Sequence, residues 1–444
     1  MQLNLRINDW QSLDETQRAR LLRRPALQED QALREKVRAI LDRVRTDGDA
    51  AVRELTRTFD GVDIDALRVS DAEFHDAEQQ VSAVAGAAIQ LSIDNVRRFH
   101  AARPATDYEI ETMPGIRCQR MARPIDAVGL YVPAGSAPLP STAVMLAVPA
   151  AIAGCPRCVL CTPPRPDGKA DAAVLVAARR AGVTDVYKVG GAQAIAAMAY
   201  GTESIARVDK IFGPGNAWVT AAKTMIGADA YGAAIDMPAG PSEVLVIADA
   251  QATASFVAAD LLSQAEHGSD SQVILVSTDR QLALHVIRQI ECQLPALARR
   301  DVAEGALTSC RIILAPDLAR AIEISNRYAP EHLLLQIESP RAALPDIRNA
   351  GSVFLGPWSP ESAGDYCSGT NHVLPTCGNA RSFSGLGVEQ FMRHMTVQQL
   401  SRSGFRSIAP AILTLAALEG LDAHAAAVSC RLRPSATGST AADS

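Results

Sequence analysis

The sequence lacks the features that mark nucleic-acid binding, membrane insertion or export. Its net charge is −6, and no stripe of lysine and arginine offers a surface for nucleic acid. No apolar run approaches the ~20 residues that a membrane-spanning helix needs. The first residues, MQLNLR, have no apolar core of the kind found in secretory signals. We therefore expect a cytoplasmic protein that contacts neither nucleic acid nor a membrane.

Cysteine is scattered along the chain, and its count of nine is odd, which is typical of reduced thiols in the cytoplasm. One cluster, Cys155–Cys161, contains two overlapping Cys-x-x-Cys spacings of the kind that hold a metal or an iron–sulfur centre. No second cluster in the sequence completes such a site, and Cys158 and Cys161 fall in a predicted buried strand. We interpret these thiols as packing residues.

The dinucleotide fingerprint Gly-x-Gly-x-x-Gly is absent as well. Three other glycine-rich turns each follow a predicted strand and precede a predicted helix: Tyr131–Gly135, Val189–Gln193 and Phe212–Asn216. Glycine in such turns lets backbone N–H groups approach a phosphate at a helix N-terminus. Ordinary left-handed turns have the same composition, so the pattern alone leaves nucleotide binding and a plain turn equally open.

The overall composition, 48% hydrophobic and 21% charged, is that of a globular protein. Helical periodicity dominates to about residue 105, and two later series alternate strand and helix, the pattern of parallel sheets. We predict an α/β protein with an N-terminal helical region that leads into the first strands (1–120). Two Rossmann-like lobes follow (121–240 and 241–380), joined near residues 238–241 with a cleft between them. A C-terminal extension with a disordered polar tail (381–444) ends the chain.

Gln264 and His267 stand three residues apart at the end of a predicted helix, Thr253–Glu266, that Gly268 stops. On a helix this spacing places both side chains on one face. An amide oxygen and an imidazole nitrogen together suit zinc. A capped helix end with polar side chains in water is the commoner explanation of such a pair.

Other polar residues of the second lobe form a dense set. Glu331 and His332 are a natural general acid/base pair, because their pKa values bracket neutral pH. Ser242 stands at the head of the first strand, and the segments 359–366 and 369–372 follow later in the lobe. Because open α/β sheets bind ligands at the carboxyl ends of their strands, we expect these residues to meet at one such edge. Each residue taken singly is also compatible with an ordinary capped loop.

Taken together, these segments carry a resemblance to a known family. The strings SQAEHG (263–268), APEHL (329–333), AGDY (363–366), GTNHVLP (369–375) and LEGLDAH (418–424), with FGPGN (212–216) in the first lobe, resemble histidinol dehydrogenases. The resemblance runs in order over essentially the whole chain. Cys367, Cys377 and the polar tail depart from the family pattern without touching its chemistry.

The family oxidises L-histidinol to L-histidine in the last two steps of histidine biosynthesis, with two NAD and one zinc ion per subunit. The resemblance implies four zinc ligands, Gln264, His267, Asp365 and His424, and the acid/base pair Glu331 and His332. It implies that the substrate is contacted by Ser242, His372 and Glu419, in addition to His332 and the zinc ligands. It implies that the nucleotide is contacted by Tyr131, Gln193 and Asn216. It also implies a homodimer in which the C-terminal extension docks on the partner, so that His424 completes the partner's zinc site.

Three alternatives stay open. A zinc hydrolase uses similar ligands but has no need of the glycine-rich turns. A two-lobed binding protein shares the α/β architecture but normally carries an export signal. A paralogue within the family would oxidise a different alcohol, although Glu419 and His372 favour histidinol.

Overall fold

The computed structural model describes residues 5–24, 31–102, 107–134, 137–237 and 240–433. Part of the predicted joint at 238–241, part of the turn Tyr131–Gly135 and the whole of the tail 434–444 lie outside these residues. The strands are β1 (Ile7–Asp9), β2 (Tyr108–Met113), β3 (Ile116–Pro124), β4 (Ala127–Tyr131), β5 (Arg157–Thr162), β6 (Asp185–Lys188), β7 (Lys210–Phe212), β8 (Ala234–Ile235), β9 (Glu243–Ala248), β10 (Gln272–Ser277), β11 (Arg311–Leu314), β12 (His332–Gln336), β13 (Ser352–Leu355) and β14 (Met392–Leu400).

The helices account for most of the remaining regular structure. They are α1 (Glu15–Leu21), α2 (Gln31–Phe59), α3 (Asp71–Gln80), α4 (Ala83–His100), α5 (Pro140–Ala153), α6 (Ala172–Arg180), α7 (Gly191–Tyr200), α8 (Ala217–Ala228), α9 (Ala254–Ala265), α10 (Arg280–Gln293), α11 (Arg300–Leu307), α12 (Leu318–Tyr328), α13 (Glu361–Tyr366), α14 (Arg402–Leu418) and α15 (Asp422–Leu432). Short 3-10 helices lie at Trp10–Ser12, Leu294–Ala296, Pro340–Asp346, Asn379–Arg381 and Val388–Phe391.

The first lobe is a five-stranded parallel sheet in the order β6-β5-β4-β7-β8. Strand β4 comes first in the sequence. Strands β5 and β6 then extend the sheet on one side of β4, and β7 and β8 extend it on the other side. The strand order therefore reverses between β4 and β7, where open sheets of this kind bind ligands. Every residue of β4 is buried, because helices cover both faces of the sheet.

The second lobe is a six-stranded parallel sheet in the order β1-β11-β10-β9-β12-β13. Strands β9, β10 and β12 are buried along their whole length, as expected for near-continuous apolar runs in a parallel sheet. Its reversal lies between β9 and β12. The two sheets confirm the predicted α/β fold with two Rossmann-like lobes.

The N-terminal region differs from the prediction of helices alone. Strand β1 pairs in parallel with β11 and extends the second sheet. Three residues with one apolar side chain, at the first position, carry too little periodicity to signal a strand, so the partner strand decides its conformation. The long helix α2, kinked at Gly48 (φ 53°), packs its buried face on the first lobe.

By its contacts the chain divides into two units: Met1–Pro104 with Pro124–Phe391, and Ala105–Arg123 with Met392–Ser444. The first unit holds both parallel sheets. The second has a three-stranded sheet in the order β14-β3-β2, with β2 antiparallel to β3, and the hairpin of α14 and α15. Helix α14 begins at Arg402, because the Ser401 side chain caps its first turn, and Pro410 is tolerated inside it.

No helix within the described ranges is both long and apolar enough to cross a bilayer.

Candidate active site

The polar residues of the second lobe gather at the amino-terminal edge of its sheet, not at the carboxyl edge that the sequence led us to expect. Glu243 begins β9, His332 begins β12, and the two strands pair in parallel. Parallel strands start at the same edge, so the residues that head β9 and β12 become neighbours. The chain reaches this edge through the loops that lead into the strands, which is where Ser242 and Glu331 lie.

The predicted acid/base pair, Glu331 and His332, is held in place by the backbone of one residue, Glu243. The Glu243 N–H donates to Glu331 Oε2 at 2.8 Å, and His332 Nδ1–H donates to the Glu243 carbonyl oxygen at 3.1 Å. With the proton on Nδ1, the other ring nitrogen of a neutral imidazole is a proton acceptor. That Nε2 atom is buried without a hydrogen-bond partner among the described residues.

Burial drives both members of the pair toward their neutral forms. Desolvation raises the pKa of Glu331 well above its usual value. It lowers the pKa of His332 to about 3. At neutral pH the imidazole is therefore uncharged, and its Nε2 has an open acceptor position.

Two carboxyl groups of α13 face this pair. Glu361 and Asp365 are four residues apart, so they share one face of the helix. Glu361 Oε1 lies 3.5 Å from His332 Nδ1, and Asp365 Oδ1 lies 3.8 Å from His332 Nε2. Burial raises the pKa of Glu361 well above its ordinary range and that of Asp365 to about 7. The sequence offered a signal for Glu361 in its spacing from Asp365, but we did not predict it as a site residue.

Gln264 completes the buried polar cluster. Its side chain is fully buried, and in the amide orientation that suits its neighbours its nitrogen donates to Glu361 Oε1 at 2.6 Å. Helix α9 ends at Ala265, one residue earlier than predicted, and the His267 N–H donates to the Gln264 carbonyl oxygen at 3.2 Å. Gln264 and His267 thus lie within one turn at the end of the helix.

A group of side chains here has the composition and spacing of a metal site. Atoms of His267, Glu361 and Asp365 that can bind a metal lie within 4.8 Å of one another. Imidazole nitrogen with carboxylate oxygen is a donor set that zinc accepts. His424, the fourth ligand that the resemblance implies, is exposed on α15 in the second unit.

Two of the three implied substrate residues lie in the first unit. His372 Nδ1–H donates to the Asp365 carbonyl oxygen at 2.9 Å, and its Nε2 lies 3.3 Å from the Thr142 hydroxyl oxygen. Desolvation lowers the pKa of His372 to about 4, which keeps the ring neutral. Ser242 is half-buried and directly precedes Glu243. Glu419 is the exposed C-terminal cap of α14 in the second unit.

The predicted nucleotide residues lie at the carboxyl edge of the first sheet, around its reversal point. The buried Tyr131 ends β4, and its hydroxyl accepts the N–H of Gly191, the first residue of α7. Gln193 is buried in the first turn of α7. Asn216 is exposed and caps α8 with its side-chain oxygen, which accepts the N–H groups of two residues in the first turn.

The turn before Asn216 has a backbone that needs glycine. Gly213 has φ 121°, and a Cβ at this position would lie 2.2 Å from the Tyr131 carbonyl oxygen. Lys223 Nζ donates to the Gly213 carbonyl oxygen at 2.7 Å and to Asp236 Oδ1 at 2.5 Å. Asp236 Oδ2 in turn accepts the Gly213 N–H at 2.8 Å. The buried ion pair between Lys223 and Asp236 therefore binds both the N–H and the C=O of Gly213.

Comparisons with known proteins point to one family. A family model described as histidinol dehydrogenase matches residues 22–432. A histidinol dehydrogenase from Xanthomonas oryzae pv. oryzae is 55% identical over 428 residues, which cover 96% of this chain and 99% of the relative. One from Vibrio vulnificus is 53% identical over 423 residues, or 95% of this chain and 97% of the relative. The crystal structure of histidinol dehydrogenase from Elizabethkingia anophelis has a TM-score of 0.92 at 46% identity and covers 96% of this chain and 98% of its own.

Proposed function

We propose that this chain, which belongs to the histidinol dehydrogenase family of NAD-dependent oxidoreductases, oxidises L-histidinol to L-histidine through L-histidinal. Each oxidation passes one hydride to one NAD, so the whole reaction transfers four electrons. The observation that carries the proposal is the buried pair Glu331–His332, with a free Nε2 on a neutral imidazole beside a metal-compatible cluster.

His332 is the general base of the first oxidation. Its Nε2 takes the hydroxyl proton of histidinol while a hydride leaves the same carbon for NAD, which gives histidinal and a protonated imidazole. The Glu243 carbonyl oxygen, 3.1 Å from Nδ1, holds the tautomer and accepts a hydrogen bond that strengthens when the ring becomes charged.

Glu331 serves the second oxidation. It takes a proton from the water that adds to the aldehyde, and the resulting hydrate anion loses a second hydride to NAD. The carboxylic acid formed then releases its remaining proton to solvent and becomes a carboxylate. A pKa raised by burial makes the ionised Glu331 a stronger proton acceptor. Its hydrogen bond from the Glu243 N–H keeps one oxygen in place and leaves the other for water.

The residues at the edge of the second sheet fit a zinc ion, held by Gln264, His267 and Asp365 of one chain and by His424 of a second chain in a homodimer. Bound zinc supplies positive charge and open coordination positions for the amine and imidazole of histidinol. Ser242, His372 and Glu419 contact the substrate around it. Glu419 and His424 share the exposed C-terminal hairpin, which supports a site completed by a partner.

The nucleotide is contacted by Tyr131, Gln193 and Asn216. Their position at the reversal point of the first sheet supports this assignment, because that edge is where open α/β sheets bind nucleotides. The amino ends of α7 and α8 face the same edge, where the positive ends of the helix dipoles favour the pyrophosphate.

The test is a spectrophotometric assay with purified protein, L-histidinol and NAD. We expect about two NADH for each histidinol consumed, as two hydride transfers require, and L-histidine as the product. A chelator should abolish the activity and zinc should restore it. Reduction of NAD by another alcohol but not by histidinol would identify a paralogous dehydrogenase, and full activity in metal-free protein would contradict the zinc site.

A further inference from the structure

We propose that the buried ion pair between Arg24 and Glu243 positions the side chains of Glu331 and His332, so that Arg24 affects kcat without contacting the substrate. The inference rests on the proposed function, because it concerns how Glu331 and His332 are held for that reaction. Neither Arg24 nor Glu243 emerged from the sequence as a site residue.

One peptide segment holds both catalytic side chains. The N–H of Glu243 fixes Glu331 and its C=O fixes His332, so a shift of Glu243 displaces both groups together. Glu243 is the first residue of β9 and pairs with Gln272 of β10, but the pairing of β9 with β12 begins only at Val244. On the β12 side the position of Glu243 therefore depends on an additional anchor.

The Glu243 side chain supplies that anchor. Arg24 Nε lies 2.5 Å from Glu243 Oε1, and Arg24 Nη2 lies 2.9 Å from Oε2. This two-point geometry fixes orientation as well as distance. The Cys377 N–H also donates to Oε1 at 3.0 Å. Arg24 is 8% and Glu243 2% exposed, so solvent competes little with the pair.

The same guanidinium also holds the loop that carries Glu331. Arg24 Nη2 donates to the carbonyl oxygens of Tyr328 at 2.9 Å and Ala329 at 3.3 Å, and its plane stacks 3.8 Å from the centre of the Tyr328 ring. Ala329 adopts a left-handed conformation (φ 55°) two residues before Glu331, so the backbone there needs external support.

Arg24 thus joins the head of β9 to the loop that enters β12, and these two segments provide every hydrogen bond described above for Glu331 and His332. A buried ion pair is weak evidence for stability, since desolvation offsets much of its attraction. Its geometry instead points to a positional role: it sets the separation of the two strand heads that carry the proton-transfer groups.

The test compares Arg24→Met and Arg24→Lys with the wild type. Arg24→Met should lower kcat by roughly 10–10²-fold, because small displacements of proton-transfer groups cost rates of that size. KM for histidinol and for NAD, and the bound zinc measured by atomic absorption, should stay close to wild type. Arg24→Lys keeps the charge but not the two-point contact, so its kcat should lie between the two.

The half-reactions give a signature that a merely structural role would not produce. Because Glu331 and His332 depend on the same anchor, oxidation of histidinol and oxidation of histidinal should fall together, unlike the selective loss expected when Glu331 alone is altered. Glu243→Gln, which keeps the shape but not the charge, should reproduce this joint loss. If Arg24→Met does not fold, Arg24→Lys and Glu243→Gln carry the test.

Arg180→Met is the matched control. Arg180 also makes a two-point contact with a carboxylate, through Nε and Nη2 to Glu78 at 3.4 Å and 2.9 Å, but it joins α6 of the first lobe to α3 of the N-terminal region. Its kcat per folded molecule should equal that of the wild type. Wild-type kcat in the folded Arg24 and Glu243 variants would overturn the inference and leave the proposed function standing. A wild type inactive on histidinol would instead refute the proposed function.

Discussion

At the scale of single residues, burial shapes the chemistry of the site more than any one ion pair. It raises the pKa of Glu331 and Glu361 and lowers that of His332 to about 3 and of His372 to about 4. These four ionisable groups are buried, and burial favours the uncharged form of each. Such an environment suits a substrate and a metal that bring positive charge, because each buried carboxyl group gains a partner when they bind.

The change Glu331→Gln should distinguish the proposed role of Glu331 from that of His332. The variant keeps an oxygen that can accept the Glu243 N–H but can no longer take a proton from water. Oxidation of histidinal should fall by roughly 10²–10⁴-fold, the usual effect of losing an acid/base group, and oxidation of histidinol much less. Stopped-flow measurement of NADH formation from each substrate tests this. Equal losses in both steps would contradict the division of labour.

Asp60 illustrates what an unpartnered buried carboxyl group does to stability. Its Oδ2 has no hydrogen-bond partner among the described residues, and burial raises its pKa to about 6. The folded pKa exceeds the unfolded value of ~3.9, so the protonated form is the one that favours folding. The contribution of this group therefore declines as the pH rises from about 4 to about 6, and the folded state carries the penalty above that range.

Asp60→Asn should for this reason stabilise the protein at pH 8 and about half as much at pH 5. The pKa shift allows at most about 3 kcal/mol, and because the residue is partly exposed we expect about 1 kcal/mol after solvent screening. Urea unfolding at both pH values measures it. Asp63→Asn, at an exposed neighbouring position, is the control and should show no such pH dependence.

At the scale of elements, the sequence predicts what depends on local periodicity and misses what depends on partners across the fold. The buried runs of β4, β9 and β12 and the helices between the strands follow from apolar pattern and turn residues. Strand β1 does not, because only its pairing with β11 makes it a strand. The same limit explains why Glu331 and His332 were recognised as a pair from adjacency alone, whereas Arg24, 219 residues from Glu243, was not.

The polar cluster lies at the amino-terminal edge of the second sheet, whereas the sequence predicted the carboxyl edge. The carboxyl-edge rule for open sheets agrees with the position of the proposed nucleotide residues of the first lobe. In the second lobe, however, Glu331 precedes β12 and His332 begins it. Glu331 and Ser242 stand before β12 and β9 in the sequence itself, so their order relative to the strands already contained the correct answer.

The turn at Gly213 yields a prediction about an element. Lys223→Met would leave Asp236 buried and without its cation, which costs about 3–5 kcal/mol when one partner of a buried pair is removed. We expect a loss of this size in urea unfolding, and weaker NAD binding by calorimetry, because the turn before Asn216 loses its support. Arg300→Met, which breaks the partly exposed pair with Glu304 (2.7 Å), should cost only about 0.5 kcal/mol. Similar losses in both variants would refute the role of the buried pair.

At the scale of the whole molecule, the second unit carries apolar side chains that the described chain leaves uncovered. Leu415, Leu418 and Leu421 of its helical hairpin are 58%, 78% and 39% exposed, and every residue of β2 is exposed. Apolar surface of this kind marks an interaction site. The proposed occupant is a second copy of the chain, because it would also account for Glu419 and His424, which are both exposed on the same hairpin.

A homodimer of this design has two sites, each built from both chains. His424→Ala and His267→Ala should each be inactive alone. When the two variants exchange subunits, a mixed dimer has one site with both defects and one site with neither. Random exchange makes about half of the dimers mixed, so about a quarter of all sites should recover by this symmetry. The measurement is histidinol-dependent NADH formation after exchange, with dimer mixing verified by native mass spectrometry of isotope-labelled chains.

The control for this experiment mixes His267→Ala with Asp365→Ala. Both residues belong to one metal-compatible group within one chain, so every site of a mixed dimer keeps one defect and no activity should return. Recovery in the first mixture but not in the second would assign His424 to the partner's site. Absence of recovery in both, with exchange demonstrated, would instead mean that His424 acts within its own chain, since each site of every mixed dimer would then retain a missing ligand.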